Sequence, residues 1–236
     1  MKITYIYHSG FIVETETAVF IFDYYKEAAL VEDYLRSADA GKDVFFFASH
    51  SHFDHFNPEI FEFSKVRPAA FILSSEIRSS CGNREGVVFL DKLESYDLPG
   101  GGRAEAFGST DAGASFLVWR DGLKIFHAGD LNNWHWNEQA PPKEAAAMGR
   151  LFLSEAALIK EASGGSVDLA MFPVDSRLGR DYALGAEQFL QEVKTRVFAP
   201  MHSWDDYKAA NAFKAEAEKY AEVFFEIRGV GESGRF

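Results

Sequence analysis

Val44-Phe45-Phe46-Phe47-Ala48, followed at once by Ser49-His50-Ser51-His52-Phe53-Asp54-His55, decides how this chain is read. The first five residues are a continuous apolar run, which suits a strand covered on both faces in the middle of a layered sheet. At Ser49 the chain turns polar, and four candidate metal ligands follow within six residues. If the strand stays extended past Ala48, His50 and His52 point to the same side. Asp54 and His55 then lie where the chain bends toward Asn57-Pro58. That pair starts a helix, with Asn capping and Pro in the first position. Imidazole nitrogen and carboxylate oxygen suit Zn²⁺, and also Mn²⁺ or Fe. Three of only seven histidines fall in this loop, and layered α/β folds place their sites in such loops.

Outward from this stretch, Ile3 to Tyr7, Phe11 to Glu14 and Ala18 to Phe22 read as strands, and Glu27 to Ser37 has helical spacing. Phe71 to Leu73, Val87 to Leu90, Ser115 to Trp119 and Leu123 to His127 read as further strands. Asp121-Gly122 marks a hairpin turn. Arg103 to Phe107 has no clear assignment. A helix over Glu144 to Ala162 closes at Gly164-Gly165. Strands at Asp168 to Phe172 and Val197 to Ala199 flank a helix from about Gly185 to Val193. A last helix over Tyr207 to Ala221 and a strand over Val223 to Ile227 complete the chain. Two β-rich halves with helices outside predict an α/β fold, a four-layer αββα sandwich, formed as one domain over residues 1–236.

The 236 residues carry a net charge of −12, which disfavours nucleic acid as a partner. Phe is frequent, with 23 copies, and most are expected in the core. Cys81 stands alone, so no intrachain disulfide forms; it reads as a structural thiol in a reducing compartment. No leader pattern or membrane-length apolar run is present, which points to the cytoplasm and away from a membrane. Oligomeric state is not readable.

His50-x-His52-x-Asp54-His55 resembles the signature of the metallo-β-lactamase superfamily. Phe126-His127-Ala128-Gly129-Asp130 is similar to its strand ending in a metal-bridging Asp, and Ala199-Pro200-Met201-His202 to its last ligand strand. Tyr7-His8-Ser9-Gly10-Phe11 is similar to the opening of the ascorbate-6-phosphate lactonase-like branch. The resemblance implies one or two divalent metals, zinc first, with manganese or iron as alternatives. One metal is expected on His50 and His52, the other on Asp54, His55 and His202, with Asp130 between. It also implies hydrolysis of a small ester, lactone, amide or phosphoester by a metal-activated hydroxide, with Asp54 as ligand and proton acceptor.

The family usually supplies another His between the first motif and the bridging Asp. Here none occurs between His55 and His127. Asp111, in Ser109-Thr110-Asp111, is the leading substitute and His135 the second. His8 is expected near the site. His127, three residues before Asp130 on a strand, falls on the opposite face, in a core or supporting role. Trp134 and Trp136 are candidates for a pocket wall. Arg177 is a candidate substrate contact, in a loop where an ion pair with Asp175 is the plainer reading. The rival functions are a nuclease, which the absence of a basic surface disfavours, a flavin-linked diiron redox enzyme, and a metal-binding protein whose degenerate site is inactive.

Overall fold

The computed structural model describes residues 1–82 and 84–236. Three antiparallel strands open the chain: β1 (Lys2–Tyr7), β2 (Gly10–Glu14) and β3 (Ala18–Phe22). Helix α1 (Ala28–Ser37) then leads to β4 (Asp43–Ala48), which lies parallel to β3. β5 (Ala70–Ser74), short helix α2 (Arg78–Cys81) and β6 (Val87–Leu90) extend the sheet in parallel. The second half repeats the plan. β7 (Ser95–Asp97), β8 (Arg103–Phe107), β9 (Ser115–Arg120) and β10 (Leu123–His127) form an antiparallel meander. Helix α3 (Pro142–Ser163), β11 (Ser166–Pro173), α4 (Leu184–Glu192), β12 (Lys194–Met201), α5 (Tyr207–Ala212), α6 (Lys214–Ala217) and β13 (Ala221–Phe224) follow, with β10 to β13 parallel. β14 (Ser233–Arg235) crosses back to pair with β1. The two seven-stranded sheets run β14-β1-β2-β3-β4-β5-β6 and β13-β12-β11-β10-β9-β8-β7.

The apolar run of β4 is covered on both faces, as its sequence requires. Phe45 and Phe47 join the core between the sheets, while Val44 and Phe46 pack outward in a second cluster with α1. Phe46 stacks on Phe63, from the 3₁₀ segment Pro58–Lys65, at 5.6 Å. Truncating a buried Phe of this kind to Ala costs roughly 3–5 kcal/mol. The Asn57 side chain caps that segment by accepting from the Glu59 amide, so the expected helix start holds, with tighter winding.

One expectation needs correction, and three strands carried no assignment from the sequence. Arg103–Phe107 is a strand; Ala104 and Ala106 are buried on one face and Phe107 at its end, but the small alanines between Arg103 and Glu105 leave the apolar alternation faint. The short edge strands β7 and β14 lack an apolar signal. The Tyr207 to Ala221 helix breaks into α5 and α6. Three-residue hydrogen-bond spacing at Phe213 and Glu216 tightens the turns, and Ala221 pairs with Thr195 as a strand. Asp121 and Gly122 both adopt positive φ, as a two-residue hairpin turn demands. Among the described residues no helix is long and apolar enough to cross a membrane.

Candidate metal centre

Six strands deliver a polar residue just past their carboxyl ends: His8 after β1, Asp23 after β3, Ser49 and His50 after β4, Asp130 after β10, Asp175 after β11 and His202 after β12. Sites of layered α/β folds form at this end of the sheet. The backbone here is shaped for the purpose. His8, Asp23, Trp136, His202 and Trp204 account for five of the eight non-glycine residues at positive φ among the described residues, a conformation tolerated only where the surroundings enforce it. Gly113 and Gly129 brace the motif from the other sheet. A Cβ on Gly113 would stand 2.0 Å from the Ser49 carbonyl oxygen, and one on Gly129 would stand 2.7 Å from the Ser49 Cβ.

Three imidazoles have their Nδ1 committed behind the site. His55 Nδ1 donates to Asp23 Oδ2 at 2.7 Å. His202 Nδ1 donates to Asp175 Oδ2 at 2.9 Å. His50 Nδ1 lies 2.9 Å from the Ser49 hydroxyl, which donates to Asp23 Oδ2 at 2.7 Å. With Nδ1 committed behind the site, each Nε2 is the ring atom left to take a proton or a metal ion. All three face one carboxylate: Asp130 Oδ1 is 3.1 Å from His55 Nε2 and 3.3 Å from His202 Nε2, and Oδ2 is 3.5 Å from His50 Nε2. His55 Nε2 and Asp130 Oδ1 are buried without a hydrogen-bond partner, as are both ring nitrogens of His8. Three Nε2 atoms converging on a buried carboxylate need positive charge among them, as a proton or a metal ion, so the donor set fits a metal.

Three groups have donor atoms within 4.8 Å of one another: His8 with Asp54, His55 and His202; His50 with His55 and Asp130; His52 with Asp111 and Asp130. His52 and Asp111 are exposed, and the others are buried or nearly so. The expected division between His50 with His52 and Asp54 with His55 and His202 is therefore not clean, because His55 lies within both inner groups. His50 Nε2 still approaches His52 Nδ1 at 2.9 Å, so the two rings do share a side.

Electrostatics follow the packing. Burial holds His50 and His8 down at about 4, so both are neutral near pH 7. Burial also opposes charge on His55, but the Asp130 charge and the Asp23 hydrogen bond prevail and raise it to about 9, so near pH 7 its Nε2 holds a proton that a bound metal would displace. Asp130 lies below the usual carboxylate range: burial opposes this, and His55, His202 and His50 outweigh it. Asp54 is also held low, with burial outweighed by His8 and His55.

Asp111 comes to the centre because Thr110 Oγ1 bridges the loop after β10, accepting from the Asn132 amide at 2.9 Å and donating to its carbonyl at 2.6 Å. His135 does not come to the centre. Its Nε2 is bonded to the Asp181 carbonyl at 3.0 Å and its Nδ1 accepts from the Asn137 amide at 3.0 Å, so neither nitrogen is available. His127 takes the supporting role expected of it: Nε2 donates to the Ser9 carbonyl, Nδ1 accepts from the Gly129 amide, and the ring stacks on Phe22 at 5.1 Å.

Beside the centre lies a pocket of about 320 Å³ whose lining includes Asp111, Asp130, Trp134, Trp136, Arg177 and His202. Trp134 donates its indole N–H to the Asp130 carbonyl at 2.8 Å and stacks with Trp136 at 6.5 Å. Arg177 is ion-paired to Asp175, with Nε 2.9 Å from both carboxylate oxygens, yet its side chain is 51 % exposed. Arg177 thus makes the expected ion pair and also lines this pocket. A cavity of similar size, near Lys42, Asp43, Arg67 and Pro99, lies at the opposite end of β4 from the motif. Sequence reasoning missed Asp23 and Ser49. The available signal was a lone Asp directly after the apolar run Ala18 to Phe22.

No protein-family model matches the sequence, and no curated protein does. Solved structures do. The chain superposes on Igni18, a metallo hydrolase from the archaeon Ignicoccus hospitalis, with a TM-score of 0.66 at 19 % identity, covering 100 % of this chain and 98 % of that one. YhfI from Bacillus subtilis, a metallo-β-lactamase fold protein, matches with a TM-score of 0.63 at 10 % identity over 99 % of this chain and 98 % of its own. This chain has the metallo-β-lactamase fold. CmlA, a diiron β-hydroxylase from Streptomyces venezuelae, carries a similar arrangement, with a TM-score of 0.65 at 12 % identity; the match covers 100 % of this chain and 54 % of CmlA. Within the metallo-β-lactamase fold of this chain, the mirrored sheets bring the ends of β4, β10 and β12 together, and with them His50, Asp130 and His202.

Proposed function

We propose that this protein is a metal-dependent hydrolase of a small ester, lactone, amide or phosphoester. His50, His52, Asp54, His55, Asp130 and His202 hold its divalent metals, and Asp111 completes the His50 and His52 position in place of an imidazole. The observation that carries this reading is the convergence of three imidazole Nε2 atoms on the Asp130 carboxylate. Zinc suits the donors best, and manganese or iron would also be accepted. When bound, such ions lower the pKa of water and polarise a scissile carbonyl or phosphoryl oxygen.

The chain's own residues do the rest. Asp54, held ionised, accepts the proton from the attacking water. Asp23, Asp175 and Ser49 hold the imidazoles in one tautomer and orientation. Trp134, Trp136 and Arg177 wall a pocket of small-molecule size, with a cation positioned for an anionic substituent. A net charge of −12 supports a small substrate over nucleic acid. The lactonase-like affinity rests on the Tyr7-His8-Ser9-Gly10-Phe11 segment.

The test is elemental analysis of protein prepared without chelator, for zinc, manganese and iron, followed by a panel of esters, lactones, amides and phosphodiesters. Bound metal and turnover that falls by about 10²-fold or more in Asp54→Asn support the reading. Protein that neither carries nor takes up metal would falsify it. Metal uptake with no turnover across the panel would favour the rival reading of an inactive metal-binding site.

A further inference from the structure

We infer that His8 is a protein ligand of the same metal position as Asp54, His55 and His202, so that this position has four side chains and loads before the one at His52 and Asp111. The inference rests on the metal-binding reading above and adds to it a residue from a separate strand end.

His8 is fully buried, and neither ring nitrogen has a hydrogen-bond partner. Its Nε2 approaches Asp54 Oδ2 at 3.3 Å without hydrogen-bond geometry. A buried imidazole that served only as packing would leave both polar atoms unpaired, a cost that folded proteins avoid. Coordination gives one of them a partner. The donor atoms of His8, Asp54, His55 and His202 all lie within 4.8 Å of one another, close enough to share one ion.

The placement of His8 is also enforced. The pairing of β1 with β2 shifts register between Tyr5 and Tyr7, and a bulge of this kind re-aims the side chains beside it. His8 then takes a left-handed backbone, φ 57°. Its amide donates to the Tyr5 hydroxyl at 2.7 Å, and its carbonyl accepts from the His202 amide at 3.1 Å. The ring centroid is 4.2 Å from that of His202 and 4.2 Å from that of Trp204. Packing alone would not require a strained backbone and an unsatisfied ring; a ligand held at a fixed angle accounts for the backbone and for one of the two nitrogens.

Cobalt(II) serves as the probe, added to the metal-free full chain. Wild type and His8→Ala are titrated in competition with a chromophoric chelator, and their folds are compared by circular dichroism. The expected result is that His8→Ala raises the Kd of the tighter ion by at least about 100-fold and changes its visible spectrum. A folded His8→Ala with wild-type affinity and spectrum overturns the inference. The same question is asked of wild type alone, by proton NMR at one equivalent of cobalt. Three paramagnetically shifted, exchangeable imidazole N–H signals support His8, His55 and His202 as ligands, whereas two overturn it. This second measurement decides the matter if the variant does not fold. Wild type that binds no cobalt at all fails the metal-binding reading itself, and the inference with it.

Discussion

The Asp23 carboxylate lies 2.7 Å from His55 Nδ1, and both side chains are almost wholly buried. The same carboxylate takes the Ser49 amide at 2.8 Å and the Ser49 hydroxyl at 2.7 Å. Asp23 thereby ties the strand end before the motif to the last histidine within it. It is held at about 2: burial opposes ionisation, and the neighbouring His127 and the His55 hydrogen bond prevail.

Asp23→Asn should keep the fold and weaken metal binding by about 10–100-fold, because the amide no longer fixes the His55 tautomer or raises its basicity. Chelator competition on the folded variant measures this. An affinity equal to wild type would remove Asp23 from the supporting shell.

Asp111→Ala and His135→Ala should differ. The first is expected to weaken one metal position and leave the other intact, since Asp111 groups with His52 and Asp130 only. The second should leave both unchanged, since its ring nitrogens are already bonded to backbone. Stepwise metal titration separates the two, and loss of an ion in His135→Ala would contradict the geometry.

Gly113→Ala should damage the motif from outside it. The new Cβ would meet the Ser49 carbonyl oxygen and the His50 Cβ, at a backbone φ of 64°. Overpacking of this kind costs roughly 1–3 kcal/mol, and the left-handed backbone adds to it. Denaturant unfolding should show the loss, with reduced metal affinity in the protein that remains folded. A neutral effect on both would mean that the loop yields freely.

A pH effect is expected well away from the metal centre. Glu14 is held below its ordinary range: burial opposes this, and hydrogen bonds from Lys42 and Tyr34 outweigh it. A carboxylate depressed in the folded state stabilises above its unfolded pKa, about 4.3, and that stability is lost as pH falls through the lower folded value. Glu14→Gln should therefore lower the denaturation midpoint at neutral pH and converge on wild type in strong acid. A constant difference at all pH values would assign the effect to packing instead.

Much of the fold was legible because its signals are local. The apolar run Val44 to Ala48, the Asp121-Gly122 turn and the Gly164 helix end each state their geometry within a few residues. β8 was not legible, since alternating Ala with Arg and Glu buries too little apolar surface to stand out. The helix over Tyr207 to Ala221 was overread: its spacing was helical, but pairing of Ala221 with β12 decided where it stopped.

The sequence by itself determined the donor types and the run His50 to His55, because ligands within a six-residue span after a buried strand must lie close together whatever the rest of the chain does. It also determined the strand-rich halves that the mirrored sheets realise. Only the tertiary structure decided which distant residues join them. Asp111 led His135 as a candidate on chain position alone; in the structure the Thr110 bridge to Asn132 brought in the first while the Asp181 carbonyl took the second. Asp23, Asp175 and His8 came to the site in the same way. Each follows a strand end, where side-chain periodicity stops and direction is set by turns, bulges and the neighbouring strand.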